Sequence, residues 1–226
     1  MVEIAGDHAA LMDSVYRKQR YIYDFTRKYY LFGRDRLIAE LAAQPGQSVV
    51  EIGCGTARNL IRMARLYPQT IFFGLDASEE MLVTARQAIA RSGLSGRIRL
   101  AQGLAENLSP AMFNHVHSFD HAIFSYSLSM IPDWKQALKS ASAAVGEGGE
   151  IHIVDFGDLT GLGPLGANLL ARWLDLFHVA PRVEILHGLE TAEDGKEFKN
   201  SRLTLLPARY GFLWRGGREA ITRLTL

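Results

Sequence analysis

The chain predicts an α/β fold: a mostly parallel seven-stranded sheet with helices on both faces, an antiparallel terminal hairpin, and a helical extension in front. Three observations predict it. Short apolar runs alternate with helical stretches between residues 48 and 154, the pattern of parallel strands buried on both faces. Two later strand-like runs, 203–206 and 210–214, are separated only by Pro207-Ala208-Arg209. That gap is too short for a right-handed crossover, so the pair must be antiparallel. Residues 8–30 contain neither Gly nor Pro and form one long helical stretch ahead of the sheet.

The elements follow in order. Gly33 ends the first helix before a second at about 34–43, which Pro45-Gly46 terminates. Strand 48–52 leads to helix 57–67, strand 70–75 to helix 78–91, and strand 97–102 to an irregular stretch through Pro110. Strand 121–124 precedes helix 133–145, and strand 150–154 follows Gly148-Gly149. These make five parallel strands, and the hairpin brings the sheet to seven. Residues 162–177 are Leu-rich and helical; most of Leu159, Leu162, Leu165, Leu169, Leu170, Trp173, Leu174 and Phe177 are expected in the core, and some are open to forming an apolar wall for acyl chains or a membrane-facing patch.

Length bounds the organisation. The chain has 226 residues, enough for one large domain, with 1–44 a helical lid that belongs to the same domain as 45–226. A 48% hydrophobic and 22% charged composition excludes a disordered or disulfide-dense chain. The single cysteine, Cys54, forms no internal disulfide and fits a reducing cytoplasm. No stretch free of Asp, Glu, Lys and Arg exceeds 13 residues, and a membrane-spanning helix needs about 20. The chain is therefore not transmembrane, though peripheral attachment to the inner face of a membrane stays open.

The functional signal starts at Val49-Val50-Glu51-Ile52-Gly53-Cys54-Gly55-Thr56-Ala57-Arg58-Asn59. Gly53 and Gly55 allow a tight strand-to-helix turn and close approach of a ligand to the main chain. Glu51 closes the first strand and Asp76 the second, 21 residues after Gly55, where an acid reaches ribose hydroxyls in nucleotide-binding sheets. Arg58 stands where a dinucleotide fingerprint has its third glycine, so a nucleoside without pyrophosphate fits better. Cys54 has no sequence signature tying it to a histidine and is expected to fill the loop rather than act as a nucleophile.

Glu-x-Gly-x-Gly, the acid ending strand two and the terminal hairpin together resemble the class I S-adenosylmethionine methyltransferases, which have a Rossmann-like sheet. The resemblance implies S-adenosylmethionine as cofactor, S-adenosylhomocysteine as product, and no metal. It places Glu51, Gly53 and Gly55 at the methionine part and Asp76 at the ribose. Ala77, Met81, Leu104 and Ala105 would hold the adenine. Ser125 and Tyr126, after strand four, would line the reaction centre. Many relatives have Asp where this chain has Leu104, which leaves the adenine amino group to main chain.

The N-terminal stretch is basic and Tyr-rich. Residues 14–36 carry seven Lys/Arg against two acids, and 16–32 hold seven aromatics, on a chain of net charge +1. Tyr16, Arg20, Tyr23, Arg27 and Tyr30 share one helical face. The plainer interpretation is a helix that packs its tyrosines on the core under arginine stems. The functional one is a lid over the carboxyl ends of the strands. There Tyr30 would meet the cofactor, and Tyr16, Tyr23, Arg20 and Arg34 an acceptor, by cation–π contact and ion pairing. Nucleic acid is disfavoured as a partner. The basic balance is local, and Phe124-Ser125-Tyr126-Ser127 lacks the Asn/Asp-Pro-Pro-aromatic motif of exocyclic-amine methyltransferases.

His8-Ala-Ala-Leu-Met-Asp13, Tyr23-Asp24-Phe25-Thr26-Arg27-Lys28-Tyr29-Tyr30, Gly33-Arg34-Asp35-Arg36 and Phe177-His178-Val179-Ala180-Pro181-Arg182 resemble the bacterial betaine-lipid N-methyltransferases. The resemblance implies three successive methylations of diacylglyceryl-homoserine, a lipid substrate met at a membrane surface. Tyr126, His178 and Asp155 are the expected catalytic residues, with His152 a weaker candidate for moving the amine's proton. Arg182, Arg20 or Arg34 would pair with the homoserine carboxylate. Phosphatidylethanolamine or a water-soluble amine are alternative acceptors. A nicotinamide oxidoreductase and a non-catalytic cofactor-binding module are the alternatives of other classes.

Overall fold

The computed structural model describes residues 31–176, 179–194 and 201–224. The long helix expected over 8–30 lies outside the described residues. From there the elements are α1 (Arg34–Glu40), β1 (Ser48–Ile52), α2 (Arg58–Leu66), β2 (Ile71–Asp76), α3 (Glu79–Arg91), β3 (Ile98–Gln102), β4 (Phe119–Ser125), α4 (Trp134–Ala144), β5 (Val145–Phe156), α5 (Gly163–Asp175), α6 (Val183–Asp194), β6 (Arg202–Leu205), β7 (Gly211–Gly217) and α7 (Arg218–Leu224).

The seven strands form one sheet in the order β3-β2-β1-β4-β5-β7-β6. β1 to β5 pair in parallel, and β7 runs antiparallel to both β5 and β6. The strand order reverses on either side of β1 and β4, which opens a crevice at their carboxyl ends.

Alternation along the strands divides the core into two layers. Val49, Phe72 and Ile123 point to one face and pack with Leu37, Ile38, Leu60 and Met63. Val50, Phe73 and Phe124 point to the other and pack with Trp134, Leu138, Leu186 and Trp214. Phe72, Phe73, Phe119 and Phe124 are fully buried, each contributing about 1.5–3 kcal/mol. Short polar side chains start the helices. Ser78 Oγ accepts from the Met81 amide and Asp133 Oδ1 from the Gln136 amide, at 3.3 and 3.1 Å.

Three boundaries differ from the sequence expectation. β5 begins at Val145, because Gly149 lets it pass the neighbouring strand. A Cβ there would lie 2.7 Å from the Asp120 carbonyl oxygen. The irregular stretch after β3 holds two short 3₁₀ turns, Ala105–Asn107 and Pro110–Phe113. The helices α6 and α7 were not expected at all.

The Leu-rich segment divides between core and surface. Leu159 and Leu174 are buried and Leu170 and Trp173 pack on the core, but Leu162, Leu165 and Leu169 do not enter it. Leu165 is 90% exposed, Leu169 74%, and Leu176, just past the helix, 67%. Leu162, Leu165, Leu169 and Leu176 recur at helical spacing and share the outer face of α5. No helix among the described residues is long and apolar enough to cross a membrane.

Candidate functional site

The site is built on the loops that leave the carboxyl ends of β1, β2, β3 and β4. After β1 the chain turns back on itself: the Gly53 and Cys54 amides both donate to the Leu75 carbonyl, at 2.8 and 3.0 Å. Gly53 takes a φ of +75°, and a Cβ there would sit 2.6 Å from Ser127 Cβ. Only glycine passes so close in that conformation. The loop is then latched to β2. The Gly55 amide donates to Asp76 Oδ2 at 2.7 Å, and the Ser78 amide to Asp76 Oδ1 at 2.9 Å.

Between these loops lies a cleft of about 610 Å³, partly open to solvent. Of the expected site residues, Gly53, Gly55, Asp76, Ala77, Leu104, Ala105 and Tyr126 line it. Ser127, Met130, Ile131 and Pro132 complete the wall. Met130, Ile131 and Pro132 escaped the sequence analysis, since nothing in their types marks a ligand contact. The carboxylate at the end of β2, the apolar walls and the main-chain floor suit a nucleoside. Ser127 Oγ is buried in this wall and has no hydrogen-bond partner among the described residues, so a polar ligand atom fits there.

Glu51 lies behind the loop. Its Oε1 accepts from Asn59 Nδ2 at 2.7 Å, and the same amide donates to Ser125 Oγ at 3.2 Å. Asn59 therefore ties the start of α2 to the ends of β1 and β4, a role the sequence analysis missed. A second cleft on this side of the glycine loop is lined by Ser125, Asn59 and four cations, Arg34, Arg58, Arg62 and Arg65. Arg34 thus stands beside the loop, where its Nε donates to the Leu31 carbonyl at 3.3 Å. Burial, reinforced by the Asp76 and Glu51 charges, pushes the Cys54 thiol well above its ordinary range. It is an inert filler, in line with expectation.

The other expected site residues, and the Tyr126 hydroxyl, are placed as follows. Met81 is 2% exposed and packs in the core cluster of α2 and α3 instead of lining the cleft. Asp155 is 1% exposed behind the cleft, where its oxygens accept the Ser129 and Phe156 amides at 3.2 and 2.8 Å. Burial raises its carboxyl to about 6 despite those bonds. Arg182 turns its guanidinium onto the Leu128 and Ile131 carbonyls at 3.3 and 2.9 Å and so braces the cleft wall. Tyr126 donates its hydroxyl to the Phe32 carbonyl at 2.6 Å. Burial pushes that phenol well above its ordinary value, so it stays protonated and is not a base. Tyr16, Arg20, Tyr23, Tyr30 and His178 lie outside the described residues.

The ring of Tyr126 belongs to an aromatic group at this end of the sheet. Tyr126 and Phe156 meet edge-on at 4.8 Å, Phe156 and Tyr210 at 5.8 Å, and Phe32 and Tyr210 at 5.4 Å. Leu170 and Trp173 of α5 and Tyr210 pack against the core layer that contains Tyr126 and Phe156. The Leu159 amide donates to the Arg209 carbonyl at 3.1 Å, which sets the turn before α5 next to Tyr210.

His152 is not part of the site. It sits mid-β5 beside His121, its Nε2 3.2 Å from His121 Nδ1. Burial lowers both imidazoles, His152 to about 3, and keeps them neutral.

Residues 49–149 match the methyltransferase domain family. Over 162 residues the chain is 31% identical to a demethylmenaquinone methyltransferase of Desulfitobacterium hafniense (strain Y51), covering 69% of this chain and 62% of that protein. It is 26% identical over 140 residues to the ubiquinone/menaquinone biosynthesis C-methyltransferase UbiE of Geotalea daltonii, covering 59% and 58%. The chain thus spans less than two thirds of the curated relatives' length. Among solved structures it resembles the S-adenosylmethionine-dependent methyltransferase SibL, with TM-score 0.65 and 22% identity over 88% of this chain and 58% of that one. It also resembles a SAM-dependent methyltransferase from Aquifex aeolicus, with TM-score 0.57 and 15% identity over 84% and 92%. These likenesses establish the fold as that of the S-adenosylmethionine-dependent methyltransferases, whose cofactor is S-adenosylmethionine.

Proposed function

We propose that this chain, with a methyltransferase domain match at its centre, transfers a methyl group from S-adenosylmethionine to the headgroup amine of a membrane lipid, diacylglyceryl-homoserine. One observation carries the reading: the helix after β5 turns an exposed leucine face outward, and an aromatic group whose Tyr126 lines the cleft lies at the carboxyl end of the same sheet. An amphiphile needs both surfaces. The leucines of α5 suit acyl chains or a bilayer surface, and would hold the protein peripherally on it. The rings suit an amine that becomes a quaternary ammonium, which donates no hydrogen bond and is held by cation–π attraction.

The cofactor supplies an electrophilic methyl group on a sulfonium. The protein's work is to bind and orient. Asp76 would accept the ribose hydroxyls, since a carboxylate has about four lone-pair positions and two amides already fix its orientation. Ala77, Leu104 and Ala105 would flank the adenine, and the Gly53–Gly55 main chain the methionine part. Tyr126, held by Phe32, sets the wall against which the acceptor nitrogen lines up. The Arg34 cleft would take a carboxylate, from the cofactor or from homoserine. With Asp155 sealed behind the wall and the Tyr126 phenol protonated, His178 is assigned the ammonium proton in this scheme.

A second reading has its own support. The curated relatives are named for quinone C-methylation, and a prenylated quinone is also an amphiphile. Incubation with labelled S-adenosylmethionine and three vesicle preparations separates the readings, with diacylglyceryl-homoserine, phosphatidylethanolamine or demethylmenaquinone as the only acceptor. Label in diacylglyceryl-homoserine, progressing to the trimethyl product, is expected. Label in demethylmenaquinone alone would establish the second reading. No transfer to any of them, with S-adenosylhomocysteine bound normally, would defeat both.

A further inference from the structure

We propose that His121, Glu150 and His152 form a binding site for a divalent first-row transition metal of the zinc class, away from the cofactor cleft. The placement follows from strand register. His121 of β4 pairs with Glu150 of β5, and His152 lies two residues further along β5, so all three side chains emerge on one face of the sheet. There His121 Nδ1 and His152 Nε2 are 3.2 Å apart. Glu150 Oε2 is 3.5 Å from His152 Nε2 and 3.9 Å from His121 Nδ1.

Those three separations define a circle of radius about 2.1 Å, and zinc takes imidazole nitrogens and carboxylate oxygens at about 2.0–2.2 Å. An ion therefore reaches all three donors with little movement of any side chain. Two imidazoles and one carboxylate form a donor set that first-row divalent ions accept, with a remaining position for water. The outer arrangement agrees. His121 Nε2 lies 3.0 Å from Gln47 Oε1, which can only accept, so that nitrogen carries the proton and Nδ1 presents its lone pair to the other two donors. An entry path exists as well. Glu150 is one-third exposed and lines a surface groove with His121, Gln47, Asp120 and Gly149.

Charge bears on affinity. Arg215 pairs with His152 from β7 and opposes a cation, while Glu150 and Asp120 lie near His121 and favour one. Without metal the cluster forms a hydrogen-bond chain, His152 Nε2–H to His121 Nδ1 and His121 Nε2–H to Gln47, so the apo protein remains folded. None of the three residues lines either cleft at the glycine loop, so the ion would clamp β4 to β5 and take no part in methyl transfer.

The test uses the full chain, stripped with a chelator and titrated with Zn²⁺ against a competing indicator, then with Co²⁺ followed by visible absorption. One ion per chain is expected, with a melting temperature that rises with Zn²⁺ and a Co²⁺ spectrum of nitrogen–oxygen ligation. Glu150→Gln should weaken binding at least about tenfold, and His121→Gln likewise, while S-adenosylhomocysteine affinity stays unchanged as the check on folding. Glu150→Gln keeps every histidine, so it separates this site from the neighbouring rings of His115 and His117, 6.0 Å apart. Absence of stoichiometric binding at about 100 µM Zn²⁺, or equal binding by wild type and Glu150→Gln, would overturn the proposal.

Discussion

Replacing Asp76 tests the site at the residue on which most of it depends. In Asp76→Asn the side-chain shape is kept, but one acceptor oxygen becomes an NH₂ group. Both oxygens face backbone donors, Gly55 N–H at 2.7 Å and Ser78 N–H at 2.9 Å, so either amide orientation sets a donor against a donor. A bond to a charged acceptor contributes about 1.5–3 kcal/mol, and the unmatched donor adds to its loss. Partial exposure lets water relieve part of that cost, so we expect Asp76→Asn to lose about 2 kcal/mol of folding stability. Asp76→Ala, which loses both bonds, should lose about 2–4 kcal/mol. Cofactor affinity should fall further, because the ribose loses a charged acceptor in a loosened loop. A drop of about 10- to 100-fold in S-adenosylhomocysteine affinity is expected. Urea denaturation measures the first quantity and titration calorimetry the second. Wild-type affinity in Asp76→Asn would show that the ribose binds elsewhere, and wild-type stability in both variants would show that the latches contribute nothing.

Gly53→Ala should cost about 1–2 kcal/mol for its φ of +75° and about 1–3 more for a Cβ 2.6 Å from Ser127, with loss of cofactor binding. Gly46→Ala, at φ +85° with nothing within 4 Å, should lose only the first part and bind normally; equal behaviour of the two in denaturation and calorimetry would refute the close-approach argument. Cys54 should react with iodoacetamide at pH 8 at least about tenfold more slowly in the native protein than in urea, and equal rates would contradict its burial. Asp155 holds its proton in the fold up to about 6 but only to 3.8 when unfolded, so between those values the native state binds the extra proton and stability falls as pH rises. Relative to Asp155→Asn, wild type should lose up to about 3 kcal/mol between pH 4 and pH 7 in paired urea titrations; a constant difference would mean that the carboxyl titrates normally.

The legible parts of the molecule were those set by local chemistry. Strands such as β1 and β2 are short apolar runs, Ser78 and Asp133 are capping residues, and Pro207-Ala208-Arg209 leaves no room for a crossover. Gly53, Gly55, Asp76 and Leu104 were legible because a strand-to-helix turn fixes where its main chain goes. Helix α6 was not, since its acids and Gly188 blur the apolar period, and α7 is only seven residues long. The hydrogen-bond partners of other site residues depend on distant packing. Arg182 reaches a carbonyl 54 residues away, and Tyr126 one 94 residues away. The leucines of α5 looked like core because their spacing is helical, and spacing alone does not say which face has a neighbour.

The family match and the lipid-amine reading concern different parts of the chain. The match runs from residue 49 to 149 and takes in β1 to β4, the glycine loop, Asp76 and the turn at Leu104. Those elements would hold the cofactor in the proposed scheme, whichever acceptor is used. Of the aromatic group at the carboxyl end, only Tyr126 falls within the match; Phe32, Phe156 and Tyr210 lie outside it, as does all of α5. Acceptor choice in such a sheet rests on loops that leave its carboxyl edge, which vary without disturbing the core. The domain match therefore leaves the acceptor side open, while the 162-residue likeness to a demethylmenaquinone methyltransferase extends beyond it. Exchanging the acceptor-side segments with those of a quinone methyltransferase should move the acceptor preference while leaving S-adenosylhomocysteine affinity in place.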